Sequence, residues 1–323
     1  MGSVRTPKPL PEELRGREFT SAEAAVLGVP RHRLRAGDLE RVAHGIYRER
    51  AAELDLFLRL RALTQALPGA WVSHHTAGTV QRLWLPSRIE REALLHLSRE
   101  RGTAPVRRPG VVGHTLMVAD GEVACWNGFA LTTKSRTWLD LARYLELGEL
   151  VAIGDQLIRI PRRRFEGRSD PYATREGLAE LVGRHPNLPG VRLARAAIEL
   201  MRVGSDSAKE TELRLAILAH GLPEPRLQVP LDPADPYSFT ADLGYEEYRL
   251  ALQYDGVPHR FWPRKVKDNR RNEAFVEAGW RSMVFDSSDA AEGFRGAVAR
   301  IGRYLVTARE RGAVEPGRFR RSA

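Results

Sequence analysis

Apolar residues fall at helical spacing in some stretches of this chain and at alternate positions in others, with Gly, Pro and polar residues between them. Thr20 opens a helix with Glu23 three residues on, a capping-box pair, and Ala24, Ala25 and Leu27 form its apolar stripe. Gly28 ends that helix and Val29–Pro30 begins a second, PRHRLRAGDL. Leu39, Val42, Ile46 and Tyr47 flank His44–Gly45 as a short hairpin. Ala51–Leu67 is apolar at helical period and closes at Pro68–Gly69. AWVSH reads as a strand, Thr76–Leu85 as a helix, and Ala93–Ser98 and Gly110–Met117 as strands. Ser135–Leu145 is a helix with Trp138, Leu141 and Tyr144 on one face, and Val151–Leu157 begins the next.

In the second half, Val191–Val203 is an amphipathic basic helix stopped by Gly204. Ser207 caps another, with Glu210 at the capping-box position and Leu213, Ile217 and Leu218 facing a core. Phe239–Asp242 and Tyr248–Tyr254 read as strands joined by a polar turn at Tyr245–Glu247, an antiparallel hairpin. Side chains alternate along a strand, so Gln253 and Asp255 project to one side, and a suitable register brings Asp242 to them. Glu273–Ala278 is a helix stopped by Gly279, Trp280–Phe285 a strand, and Ala290–Arg309 a terminal helix.

These elements predict an α/β (α+β) chain. Residues 1–18 form a disordered lead-in, 19–49 a winged helix-turn-helix, and 50–160 a middle α/β domain. Residues 161–190 are a linker or hinge, 191–310 a domain of helix–hairpin–helix–strand–helix order with a mixed sheet, and 311–323 a loose tail.

Charge sharpens this picture. Lys plus Arg number 51 against 41 Asp plus Glu, a net charge of +10, which favours polyanionic partners, nucleic acid first. Arg31, Arg33 and Arg35 cluster on the presumed second helix of the helix-turn-helix, the element that would enter the major groove. His259–Arg271 holds six cations, Arg260, Arg264, Lys265, Lys267, Arg270 and Arg271, against one Asp, with Phe261 and Trp262 beside them. That mixture suits phosphate contacts and base stacking. Helix-turn-helix proteins are often dimers on DNA, which makes a homodimer one possible state, although the sequence does not fix it. No apolar run approaches a membrane span, no secretory segment opens the chain, and the expected location is cytoplasmic.

The candidate chemistry lies in oxygens. Asp242, Gln253 and Asp255 at the hairpin end, with Glu210 from the preceding helix, offer the donors a hard divalent cation takes. Glu210 can equally be no more than a helix cap. The single cysteine, Cys125, excludes an internal disulfide and a multi-cysteine zinc site, and between Ala124 and Trp126 it reads as core packing. His74 and His75 are adjacent on a presumed strand and point apart, so they cannot share one ion. With the sequence-remote His114, they read as satisfied polar groups. No Gly-rich phosphate loop supports a nucleotide-handling role.

SAKETELR, the ADLGY strand, LALQYDGVPH and DNRRNEAFVEAGWRSMVF follow one another between about Val191 and Phe285. In that order they resemble the endonuclease-like domains related to very-short-patch repair endonucleases, within the PD-(D/E)xK superfamily. FTSAEAAVLGVPRHRLR, HGIYR, SHHTAG and SRTWLDLA, from about Phe19 to Asp155, resemble proteins with an AbiEi-type antitoxin winged helix. The first resemblance implies a restriction-endonuclease-like mixed sheet flanked by helices and Mg2+- or Mn2+-dependent phosphodiester hydrolysis in phage defence or DNA repair. It places the family's helix acid on Glu210 and its strand acid on Asp242. Two departures stand out: the next carboxylate is Gln253, and the superfamily's lysine position holds Asp255. Asp255 remains as a ligand and His259 as a proton-transfer candidate. The second resemblance implies DNA as partner and a cognate toxin. Gln253 favours the other reading of the same chain, a non-enzymatic regulator with a degenerate nuclease fold.

Overall fold

A computed structural model describes residues 7–43, 45–50, 55–162, 166–235, 237–256 and 262–312, the side chains of Ala43 and of 262–268 excepted. It is a mixed α/β structure in two compact units, one reaching Arg143 and including Asn187–Gly190, the other made of Tyr144–Pro186 and the chain from Val191 on.

In the first unit, Leu10 and Leu14 are buried in a small core with Phe19, Ala24, Val29, Leu34 and Leu39. The expected lead-in is therefore anchored from Leu10 onward, because its leucines have an apolar face to cover. Strand β1 (Phe19–Thr20) runs into α1 (Ser21–Val26), and both halves of the Thr20–Glu23 capping box form as expected. The expected basic helix does not form. The chain makes one 3-10 turn, Arg33–Arg35. The Arg33 guanidinium turns inward, donating to the Lys8 carbonyl at 2.7 Å and to both Asp38 oxygens at 2.8 and 2.6 Å. A two-pronged Arg–carboxylate pair five residues apart, with Leu34 also drawn into the core, holds the segment as a turn. The hairpin follows as β2 (Leu39–Ala43) and β3 (Ile46–Glu49), giving sheet order β1-β3-β2.

The same unit continues with α2 (Leu56–Ala66), β4 (Trp71–Val72), α3 (His74–Val80), α4 (Ser87–Glu90), β5 (Leu95–Glu100) and β6 (Val111–Leu116). It closes with β7 (Val123–Trp126), β8 (Phe129–Thr132) and α5 (Lys134–Leu141). The five strands lie in the order β6-β5-β4-β8-β7. Strands β5 and β6 are parallel, as are β4 and β8, while β4–β5 and β7–β8 are antiparallel. Strands β7 and β8 turn at Asn127 and Gly128, with φ of 48° and 82°, the twist-matched conformation of an Asn-Gly hairpin. This places Cys125 on an outer strand, exposed rather than in the core. Leu60, Leu63, Val72, Ala77, Leu97, Phe129 and Leu131 fill the core of this part.

The second unit contains α6 (Leu147–Ile158), α7 (Arg175–Arg184), α8 (Val191–Leu200), α9 (Ala208–Ala219), β9 (Arg226–Pro230), β10 (Thr240–Tyr245) and β11 (Leu250–Tyr254). It ends with α10 (Trp262–Glu277), β12 (Arg281–Phe285), α11 (Ser287–Ala291) and α12 (Arg295–Glu310). The expected hinge thus carries α7, whose Leu178, Leu181 and Val182 are buried. The unit begins earlier than the expected domain boundary because α6 packs on α8 and α9 and shares a buried polar network with them. Asp155 of α6 accepts from the Arg202 amide at 2.7 Å, the Thr211 hydroxyl at 2.8 Å and Arg214 at 3.0 Å, and Arg214 also donates to the Leu200 carbonyl at 2.9 Å. Its sheet has the order β12-β11-β10-β9, with β12 parallel to β11 and the other pairs antiparallel. Phe294, at φ 59°, breaks the expected terminal helix into α11 and α12. Among the described residues, no helix is long and apolar enough to cross a membrane.

Candidate functional site

The β10–β11 hairpin sets the centre of the site. A 3-10 turn, Glu246–Tyr248, and a left-handed Arg249 join the strands. Leu243 pairs with Leu252, and both are fully buried. One residue further along, the same pairing puts Asp242 across from Gln253. Directly opposed residues of an antiparallel pair have Cβ atoms about 5 Å apart. The Asp242 carboxylate accepts from the Tyr254 amide at 2.8 Å, while the Asp242 amide donates to Gln253 Oε1 at 3.4 Å. Gln253 is fully buried, and its Nε2 has no hydrogen-bond acceptor among the described residues.

Glu210 comes from the first turn of α9. Its carboxylate caps that turn, accepting from the Ser207 hydroxyl at 2.8 Å and the Asp206 amide at 2.9 Å. Capping does not exhaust its environment. Burial pushes the Glu210 carboxyl up to about 8; the negative charge of Asp242 adds to the rise and the two cap bonds oppose it. Two carboxyls therefore stand close enough to resist joint ionisation. A cation arrives from α10: Arg271 Nη1 lies 3.3 Å from Asp242 Oδ1.

The predicted cluster is thus gathered in part. Asp242 and Gln253 come together, and Glu210 stands close enough to Asp242 for their charges to oppose each other. Asp255 does not join them in a three-ligand group; it sits beyond the end of β11, its amide donating to the Phe285 carbonyl at 2.8 Å. The chain leaves the sheet after Tyr254, so the alternation that would align Asp255 with Gln253 ends there. His259 and Arg260 lie outside the described residues, and Arg264, Lys265 and Lys267 fall on α10 with side chains outside the description. Arg270 is exposed, whereas Arg271, expected to face nucleic acid, reaches Asp242. Arg31 and Arg35 are exposed; Arg33, tied to Asp38, is withdrawn from any partner.

Carboxylates and a neutral amide oxygen are the donor types that a hard divalent cation takes. Burial is the larger cause of the raised proton affinity of Glu210, and the Asp242 charge adds to it. Arg271 supplies positive charge beside Asp242, and Gln253 supplies none.

Reading along the chain missed a second constellation, in the first unit. His74 and His75 stand at the start of α3 rather than on a strand, and both turn inward, meeting His96 of β5 and His114 of β6. The strand expected to carry them is not there, because β4 stops at Val72 and the backbone turns into the helix with His74 at φ 49°; the two rings enter different ligand groups and so share no ion. The parallel β5–β6 pairing, Ser98 with His114 and His96 with Val112, brings the sequence-remote pair onto one face. The alternation of His96 and Ser98 in LHLS was the available signal. Burial, then the neighbouring imidazoles, bring the His114 ring down to about 4 and hold His74 and His96 below their ordinary range.

Two Mycobacterium tuberculosis chains, "Uncharacterized protein MT2308" and "Uncharacterized protein Rv2248", are each 29% identical to this chain over 281 residues, covering 85% of it and 96% of the relative. No family model matches the chain, and no solved structure matches it.

Proposed function

We propose that this chain binds DNA and that its second unit hydrolyses phosphodiester bonds with Mg2+ or Mn2+. The observation that carries the reading is the Glu210–Asp242 pair, two acids from distant segments held at one sheet end, each disfavouring the other's charge. When bound, the ion supplies positive charge for a nonbridging phosphate oxygen and lowers the pKa of a water. Asp242 would hold it, its orientation fixed by the Tyr254 amide, while Glu210 would hold or orient water from the helix side. Gln253 contributes only a neutral oxygen, which favours one ion over two. The cations of α10 and the net charge of +10 would draw the DNA backbone.

The competing reading, a DNA-binding regulator without hydrolysis, draws support from the same place. Gln253 removes one negative charge, and Arg271 neutralises part of Asp242. A plasmid-nicking assay with Mg2+ or Mn2+, comparing wild type with Asp242→Ala, separates the two. Nicking abolished by the substitution supports the enzyme. DNA retention without nicking in either protein supports the regulator.

A further inference from the structure

The first unit holds four imidazoles in mutual contact, and they are organised as ligands are. Ring centroids of His74 and His114 are 3.8 Å apart, those of His75 and His96 4.2 Å, and those of His96 and His114 5.1 Å. One nitrogen from each of His74, His96 and His114 lies within 4.8 Å of the other two. Tetrahedral zinc, with Zn–N bonds near 2.0–2.1 Å, spaces its ligand nitrogens by about 3.3 Å. His96 Nδ1 and His114 Nε2 are 2.9 Å apart, so an opening of a few tenths of an ångström on that edge would seat an ion.

The surrounding groups orient these rings. Ser73 Oγ bonds His74 Nδ1 at 2.8 Å and Ser98 Oγ at 2.6 Å, which turns His74 Nε2 to the cluster. Glu92 Oε1 lies 3.3 Å from His96 Nε2, a position that favours the proton on Nε2 and leaves the Nδ1 lone pair facing His114. The other Glu92 oxygen bonds His75 Nδ1. A carboxylate behind one imidazole and a hydroxyl behind another are the outer partners that metal-bound histidines use to fix tautomer and direction. Packing alone does not account for the arrangement. Four adjacent, largely buried imidazoles surrender hydration, and the left-handed backbone of a non-glycine residue at His74 adds strain.

We propose that His74 Nε2, His96 Nδ1 and His114 Nε2 bind one divalent transition-metal ion of the zinc class, with Ser73, Glu92 and His75 as outer partners. His75, Glu92 and His96 form an overlapping group. The first set is chosen because Glu92 already engages both His75 and His96, as an outer carboxylate does. Three neutral nitrogen donors select zinc, cobalt, nickel or copper over magnesium, so this centre is chemically distinct from the acidic pair of the second unit. Three protein ligands leave a fourth position for water or another donor.

The test uses the untagged full chain stripped with a chelator, reloaded with Zn2+ and desalted, with retained metal measured by mass spectrometry. Wild type is expected to keep about one ion per chain; His96→Gln and His114→Gln should weaken binding by more than about 100-fold, and Glu92→Gln by about 10- to 100-fold. His220→Gln, at an exposed position, should bind as wild type does. Co2+ loading should give wild type the visible absorption of a tetrahedral site, absent from His114→Gln. Imidazole NMR signals of the wild type give a readout that needs no variant to fold: those of His74, His96 and His114 should shift with Zn2+ and that of His220 should not. Failure of wild type to retain zinc, unchanged binding in folded His96→Gln and His114→Gln, or Zn2+-induced shifts confined to other histidines would overturn the proposal.

Discussion

Replacing Gln253 with glutamate is the most informative change at the acidic site. The new carboxylate would face Asp242 across the β10–β11 pair at about 5 Å. At an effective dielectric near 20, two unit charges at that separation repel by about 3 kcal/mol. The change also removes Nε2, a buried donor with no acceptor among the described residues, which offsets about 1 kcal/mol. Above about pH 8, where the Glu210 carboxyl is also ionised, Gln253→Glu should be less stable than wild type by about 2 kcal/mol in the absence of divalent ions. Mg2+ binding only the folded state at a hundred times its Kd adds about 2.7 kcal/mol, and the extra carboxylate should tighten that Kd. Urea unfolding with and without millimolar Mg2+ measures both quantities. The gap should close or invert when Mg2+ is present. If the variant loses the same stability with and without Mg2+, the acids do not form a cation site; if it loses none in either, the assumed proximity of the charges is wrong.

Three other outcomes follow from the structure. Arg214→Met should cost about 3–5 kcal/mol in urea unfolding, because it leaves the fully buried Asp155 without its cation, and adding Asp155→Leu should recover part of that loss; a loss under about 1 kcal/mol would show the pair to be dispensable. The Glu210 carboxyl binds its proton more tightly in the folded state, so its contribution to stability is full below its ordinary value of 4.5 and is lost as pH rises through about 8; Glu210→Gln should flatten the stability profile across that window, and an unchanged slope would contradict the assigned environment. Arg33→Ala should lower the melting temperature through loss of its bonds to Asp38 and the Lys8 carbonyl, whereas Arg35→Ala should leave the melting temperature alone and reduce the salt dependence of DNA binding, and the reverse pattern would restore the recognition-helix reading.

Local chemistry was legible in the sequence. The Thr20–Glu23 capping box and the Asp242–Gln253 hairpin each depend on residues close in the chain, and both appear as expected. Arg33 was misread because the direction of a long side chain, here toward Asp38 five residues on, is not encoded in spacing. The β7–β8 hairpin announced itself in Asn127–Gly128, a turn signal passed over because the flanking strands are only four residues long. The histidine cluster was hidden for a different reason: it requires β5 and β6 to pair in parallel and α3 to pack against β5, a non-local event of which the alternation in LHLS signals only one face. Asp255 failed in the opposite direction, since alternation was extended past the point where the strand ends.

The hairpin ties the fate of the acids to that of the oil. A slip of a single residue by either strand would turn Leu243 or Leu252 away from the apolar cluster it fills and bring Asp242 or Gln253 onto that face instead. Burial of those two leucines, worth several kilocalories, therefore holds the polar pair in position with no interaction of its own required. Substitutions at Asp242 or Gln253 can thus alter the polar pair while the scaffold stays aligned, whereas an insertion in the Glu246–Arg249 corner would scramble both at once.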